Sequence, residues 1–249
     1  MTEAELRREL VKFGRLLFER DYTPGPSGNL SARLGPDLFL ITPTGRSKGL
    51  LAPEDLVVID GKGRKVRGRL SPTSESAMHL LFYALRPEVR AVVHAHPPTA
   101  TSFACAGLPL DSPLSSEFIE ALGCAPLASY ATPGTPEVPD SLRDLARSHD
   151  AVLLANHGVV TVGKDLWDAY AKMETIEHFA QISMNVRLLG REALLGEKDI
   201  RKLLEARAHY QGLDRVPERR PGCPASPSAK AVDPAVVEQI VRAVIEKLA

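Results

Sequence analysis

The sequence predicts a three-layer α/β/α sandwich around a mixed, largely antiparallel sheet, with an amphipathic helix appended on a linker. Three observations lead there. Helical and strand-like hydrophobic periods interleave along residues 1–212, the pattern of helices covering a sheet. Short apolar runs separated by turn residues cluster early in the chain, as antiparallel neighbours do. After residue 212 the composition shifts to prolines and small polar residues, and helical periodicity returns at 233–249. The organisation is therefore a domain over 1–212, a linker over 213–232 and a tail helix over 233–249.

Thr2 and Glu5 form a T-x-x-E capping pattern before "LRRELVKFGRLLFER", whose leucines recur at helical spacing. "TPGPSGN" breaks that helix, and "NLSAR", "LFLIT", "LVVID" and "KVRGRL" follow as strands. A helix is expected from about Thr73 to Leu85, feeding the strand "VRAVVHAH". After a Pro-Pro helix start come the strand "PLASYA", the helix "PDSLRDLARS", the strand pair "AVLLANHGVVTVG", and helices over 166–189 and 197–210.

Composition narrows the function. With 31 basic and 31 acidic residues in 249 and 44% apolar content, the chain can bury an ordinary core and carries no global charge for nucleic acid or an anionic membrane. Cys105, Cys124 and Cys223 are odd in number and irregularly spaced, suggesting neither a disulfide framework nor a cysteine zinc site. No apolar run approaches the roughly 18 residues that span a bilayer, so the expectation is a cytoplasmic, soluble protein.

Within "RAVVHAHPPTA", strand alternation puts His94 and His96 on one side, and Pro97 and Pro98 end the strand directly after them. Two imidazoles on one face can share a metal, or can be hydrogen-bonded core residues. His157 follows another apolar strand in "AVLLANHGVV", with Gly158 expected to let the backbone turn. Three neutral imidazoles with an open fourth position make a catalytic zinc arrangement. His79, His149, His178 and His209 lack that setting and read as structural. Thr73 and Ser74 lie at a helix start with Glu75 in its first turn, which reads as an ordinary cap or as an anion site. The loops Ser27-Gly28-Asn29 and Thr44-Gly45 could likewise offer backbone N–H groups to an anion.

"SGNLSAR", "ITPTGRSKG", "SPTSE", "VVHAH", "YATPGT" and "NHGVV", in this order, resemble the class II aldolase and adducin family, most closely its L-fuculose-1-phosphate aldolases. The resemblance covers about residues 1–212. It implies an α/β/α sandwich in a homotetramer, zinc ligands His94, His96 and His157, and Glu75 as the acid/base. It further implies a phosphate cradle from Gly28, Asn29, Thr44, Gly45, Thr73 and Ser74, and retro-aldol cleavage of a deoxyketose 1-phosphate to dihydroxyacetone phosphate and lactaldehyde. Where such aldolases carry a tyrosine proton donor, this chain reads "SPLSSEFIEALG", making Glu117 the nearest substitute; it is also readable as a surface glutamate. Tyr210 matches a C-terminal tyrosine of the aldolases and is a second candidate acid, or a packing residue. Relatives that dehydrate methylthioribulose 1-phosphate, epimerise ribulose 5-phosphate or decarboxylate a related sugar-acid phosphate are the alternatives on the same zinc site. The non-enzymatic alternative is an adducin-like binding module, disfavoured because adducin heads lack the histidines.

The tail "DPAVVEQIVRAVIEKLA" has Asp233 as N-cap, Pro234 at N1 and apolar residues at i, i+3, i+4 spacing. Its linker reaches about 25 Å as a random coil, and so short a helix needs a partner surface. It resembles the encapsulation peptides that recruit enzymes into bacterial microcompartments, with folding back on its own oligomer as the alternative. Deleting residues 213–249 is expected to leave aldolase activity intact and abolish co-assembly with shell proteins; an inactive, unfolded truncation contradicts that expectation.

Overall fold

In the computed structural model, which describes residues 1–211, helix α1 (Glu3–Glu19) starts where the capping pattern places it. Thr2 Oγ1 accepts from the Glu5 amide at 3.3 Å and Glu5 Oε2 accepts from the Thr2 amide at 2.7 Å. Its buried stripe of Leu10, Phe13 and Leu17 lies on the sheet.

Strands β1 (Asn29–Gly35), β2 (Leu38–Ile41), β3 (Val57–Asp60) and β4 (Lys65–Arg67) form one half of that sheet. Helix α2 (Ser76–Leu85) leads to β5 (Ala91–Ala95) and α3 (Pro98–Cys105). Then come α4 (Ser116–Ala121), β6 (Leu127–Ala128), α5 (Glu137–Ala146), β7 (Ala151–Leu154) and β8 (Gly158–Gly163). Helices α6 (Leu166–Leu188) and α7 (Glu197–Gln211) complete the described chain. The strand order is β4-β3-β2-β1-β5-β8-β7-β6, antiparallel throughout except for the β6–β7 pair.

Alternation along the strands divides the interior into two layers. Ala91, Val93 and Ala95 of β5 face Leu10 and Phe13 of α1, Ala100 of α3 and Met173 and Ile176 of α6. Val92 faces the other way, into a layer with Met78 and Phe82 of α2 and Val138 and Leu142 of α5. The expected three-layer sandwich is thus present, and β5 lies near its centre, covered on both faces. No helix of the described residues is long and apolar enough to cross a membrane.

Two local readings change. The helix expected from Thr73 begins at Ser76, because Thr73 is held in extended pairing: its amide donates to Thr42 O at 3.1 Å, next to a Pro43–Pro72 bridge. Helix α4 is too short to leave a periodic signal. It is held by the Ser115 cap and by Phe118, which stacks on Phe179 of α6 with ring centroids 3.8 Å apart. Cys105 is an exposed free thiol. The linker and the 233–249 helix lie outside the described residues.

Candidate metal centre

Strand β5 carries the first two histidines to the edge of the sheet. His94 is paired across to Asn29 of β1 and Val160 of β8, and it is fully buried. His96 stands just past the strand end and is anchored on both sides. Its own amide donates to Tyr22 O at 2.8 Å. Beyond it, the buried carboxylate of Glu177, reaching from α6, accepts from the Thr99 and Ala100 amides at 3.0 and 2.8 Å. Those are free N–H groups of the first turn of α3, so a charge-assisted cap fixes the helix that follows His96.

His157 sits in the connection between β7 and β8. Asn156, at φ 55°, takes the left-handed conformation there, so the turn does not depend on Gly158 as the sequence suggests. Gly158 serves close approach instead: a Cβ on it would lie 2.4 Å from His96 Cδ2 and 2.6 Å from Ala95 O. Any side chain at 158 would displace a histidine.

The nitrogens that His94, His96 and His157 can offer to one ion all lie within 4.8 Å of one another. His94 Nε2 and His96 Nε2 are 3.1 Å apart. His94 Nδ1 lies 2.9 Å from Val159 O; a carbonyl only accepts, so Nδ1 carries the proton and Nε2 turns its lone pair toward the cluster. Burial, and then the charge of neighbouring imidazoles, pushes His96 down to about 4 and His94 well below the ordinary histidine range. Burial also lowers His157, against an opposing pull from Glu75. Metal binding requires neutral imidazole, and the fold supplies it before any ion arrives.

Glu75 completes the cluster from the N-cap of α2. Its Oε2 stands 3.4 Å from His94 Nε2 and its Oε1 3.5 Å from His157 Nε2. With His94 neutral, the first contact is not an ion pair. Oε2 accepts from Asn29 Nδ2 at 2.8 Å, while Oε1 is buried with no hydrogen-bond partner. An orphaned carboxylate oxygen 3.5 Å from His157 Nε2, at the side of three clustered imidazoles, makes a donor set that fits a divalent cation, and this nitrogen-and-oxygen set suits zinc among others.

The three loops whose sequences could offer backbone N–H groups to an anion border this centre. Thr44 N donates to Ser71 O at 3.1 Å, bringing the exposed Thr44 and Gly45 beside Thr73 and the exposed Ser74. Gly134 of the "YATPGT" stretch packs against Ser74. Gly28 adopts φ 69°, and a Cβ there would come within 2.8 Å of His94 O. The Asn29 side chain is engaged by Glu75 and His79. Sequence reasoning missed Lys48, which reads as a solvated lysine but is 1% exposed. Its Nζ donates to Pro26 O at 2.9 Å and to Arg46 O at 2.5 Å, tying the first two loops together from beneath. Burial pushes this lysine down to about 8.

The other candidates lie apart. Glu117 is exposed on α4, where it accepts from Ser115 Oγ at 3.0 Å, and is not brought to Glu75 within this chain. Tyr210 lies in α7, but its side chain is outside the described residues, as is that of His209. His178 is exposed on α6, and the buried His149 lies just past the end of α5, near Leu145 O.

Known proteins share this architecture. Residues 8–184 match the model of the class II aldolase and adducin N-terminal domain. A 3-oxo-tetronate 4-phosphate decarboxylase of Haemophilus influenzae is 37% identical over 190 residues, 73% of this chain and 88% of that protein. An L-fuculose phosphate aldolase of Methanococcus maripaludis is 37% identical over 177 residues, 70% of this chain and 94% of that protein. The crystal structure of L-fuculose-1-phosphate aldolase from Thermus thermophilus superposes with a TM-score of 0.68 at 33% identity, covering 77% of this chain and all of that one.

The neutral histidines carry a pH signature. His96 titrates near 4 in the fold and near 6.5 when unfolded, so the unfolded chain binds more protons between those values and folding stability rises with pH across that window. Metal-free protein is therefore expected to lose thermal stability as pH falls from about 6.5 to about 4, and His96→Gln to show a shallower loss. Identical slopes for the two proteins in a thermal-melt series would remove this account of the cluster.

Proposed function

Because the chain belongs to the class II aldolase and adducin family, we propose that it is a zinc-dependent lyase that cleaves a deoxyketose 1-phosphate, L-fuculose 1-phosphate or L-rhamnulose 1-phosphate, to dihydroxyacetone phosphate and lactaldehyde. The observation that carries this reading is the half-buried Glu75 carboxylate, with Oε2 held by Asn29 and the buried Oε1 free, beside three neutral imidazoles. His94, His96 and His157 would hold the ion. When bound, it polarises the substrate carbonyl and stabilises the negative charge that develops on oxygen as the carbon–carbon bond breaks.

The chain's own residues have three tasks. The loops at Gly28, Thr44–Gly45 and Thr73–Ser74 bind the phosphate through backbone N–H groups and hydroxyls, held in place by the Lys48 contacts beneath. Glu75 handles the proton at C3: when C3–C4 breaks, its electron pair passes to the C2 carbonyl oxygen, and Glu75, which has first taken a proton from solvent, gives it to C3. The hydroxyl proton on C4 leaves to a second base, for which Glu117 or Tyr210 of a neighbouring subunit in a homotetramer are the candidates. The tail at 233–249 would deliver the assembly to a microcompartment shell.

The Haemophilus influenzae relative favours a second reading, loss of carbon dioxide from a 3-oxo-tetronate 4-phosphate. The two reactions share one requirement, a carbonyl that accepts the electron pair of a breaking carbon–carbon bond, so the same centre serves either. Assaying both substrates separates them. The proposal expects dihydroxyacetone phosphate from the ketose 1-phosphate, at least about 100-fold less of it with Glu75→Gln, and no carbon dioxide from the oxo acid. Carbon dioxide release with no dihydroxyacetone phosphate would install the second reading.

A further inference from the structure

We propose that His79 is a positioning residue for the metal-facing carboxylate, acting through a buried, one-directional chain of hydrogen bonds that runs from Tyr83 through Ser31, His79 and Asn29 to Glu75. This rests on the lyase reading only in giving Glu75 a task; the chain itself is read from the fold.

Glu75, His79 and Tyr83 recur every fourth residue, so α2 and its N-cap present them along one face. Asn29 and Ser31 alternate on one face of β1, and the two rows interleave. Tyr83 Oη lies 2.8 Å from Ser31 Oγ, and Ser31 Oγ lies 2.7 Å from His79 Nδ1. His79 Nε2 lies 2.5 Å from Asn29 Oδ1, and Asn29 Nδ2 donates to Glu75 Oε2 at 2.8 Å. Asn29, Ser31, His79 and Tyr83 are all buried, in and beside a layer otherwise built of Met78, Phe82 and Val92.

Chemistry fixes the direction of every link. An ionised carboxylate only accepts, so Asn29 must turn its NH2 toward Glu75 and its carbonyl oxygen toward His79. That oxygen needs a donor, so His79 carries its proton on Nε2. Nδ1 is then an acceptor and takes the Ser31 hydroxyl proton, which leaves Ser31 Oγ to accept from Tyr83. Burial pushes His79 down to about 3 and raises the Tyr83 phenol, which keeps the imidazole neutral and the phenol protonated, as the chain demands. Four polar groups inside an apolar layer are costly unless each is satisfied. Here each finds its partner, and the series ends on one oxygen of Glu75 while the other stands free toward His157. The chain thus orients the carboxylate, presenting Oε1 to the cluster.

The test uses the full-length, zinc-loaded protein. Nitrogen-15 NMR of the His79 ring reads its tautomer with or without substrate, so failure of the lyase reading leaves this measurement standing. The expected result is a neutral ring protonated on Nε2. On whichever sugar phosphate the wild type cleaves, His79→Phe is expected to lower kcat by about 10- to 100-fold, the usual loss for a partner that orients a metal-site group, with KM and zinc content little changed. His79→Gln, which keeps an amide donor for Asn29 Oδ1, is expected to restore most of that loss. A proton on Nδ1, a doubly protonated ring, unchanged kcat in His79→Phe, or equal losses in both variants would overturn the proposal. If His79→Phe does not fold, the wild-type tautomer and His79→Gln decide it.

Discussion

Everything at this site depends on how three imidazoles, His94 fully buried and His96 and His157 half-buried, can be packed together, with two of their nitrogens 3.1 Å apart. Charged, they would repel one another in a medium that screens poorly; neutral, they pack closely, and His94 turns its Nε2 lone pair toward the cluster. The fold accepts that configuration and supports it from several directions. The Val159 carbonyl fixes the His94 proton on the far side of the ring, and Gly158 leaves the space His96 fills. Glu177 holds the first turn of the helix that follows. A cation is the partner such a centre lacks, and Glu75 adds a negative charge at its rim.

The support comes from elements distant in sequence, and it explains why β5 is central. Pairing with β1 brings Asn29 alongside His94, and pairing with β8 brings the turn containing His157 to the same end. Helix α2 then lays Glu75 over the gap. Because β5 is covered on both faces, the polar groups are confined to one end of the strand, and His79, Ser31 and Tyr83 extend them inward only along a line where every donor has an acceptor.

Much of this was legible in the sequence because it rests on local rules. The T-x-x-E cap, the alternation that puts His94 and His96 on one side, and the proline stop after them each follow from a few neighbouring residues. His157 joins that pair through its matching setting, an apolar strand end before a glycine, whereas the role of Glu75 comes through the family resemblance, since no local rule says which strand ends and helix starts meet. What escaped was tertiary in origin. Lys48 has the surroundings of a surface lysine and is buried only because two loops close over it. His79 sits in a helix like any structural histidine, and its meaning lies in a strand nearly fifty residues earlier. Gly158 was noticed for the wrong reason, since its contact with His96 crosses from one strand to the next. Glu117 stays apart from Glu75 within one chain, and a sequence cannot show which subunit completes a site.

The most direct measurement of the central claim is zinc K-edge absorption spectroscopy on the purified, zinc-loaded protein, together with metal analysis. One ion per chain with three imidazole nitrogens at about 2.0–2.1 Å, and loss of one imidazole in His157→Ala, is the result predicted. An ion coordinated by fewer than two imidazoles, or a protein that retains no ion, would contradict it.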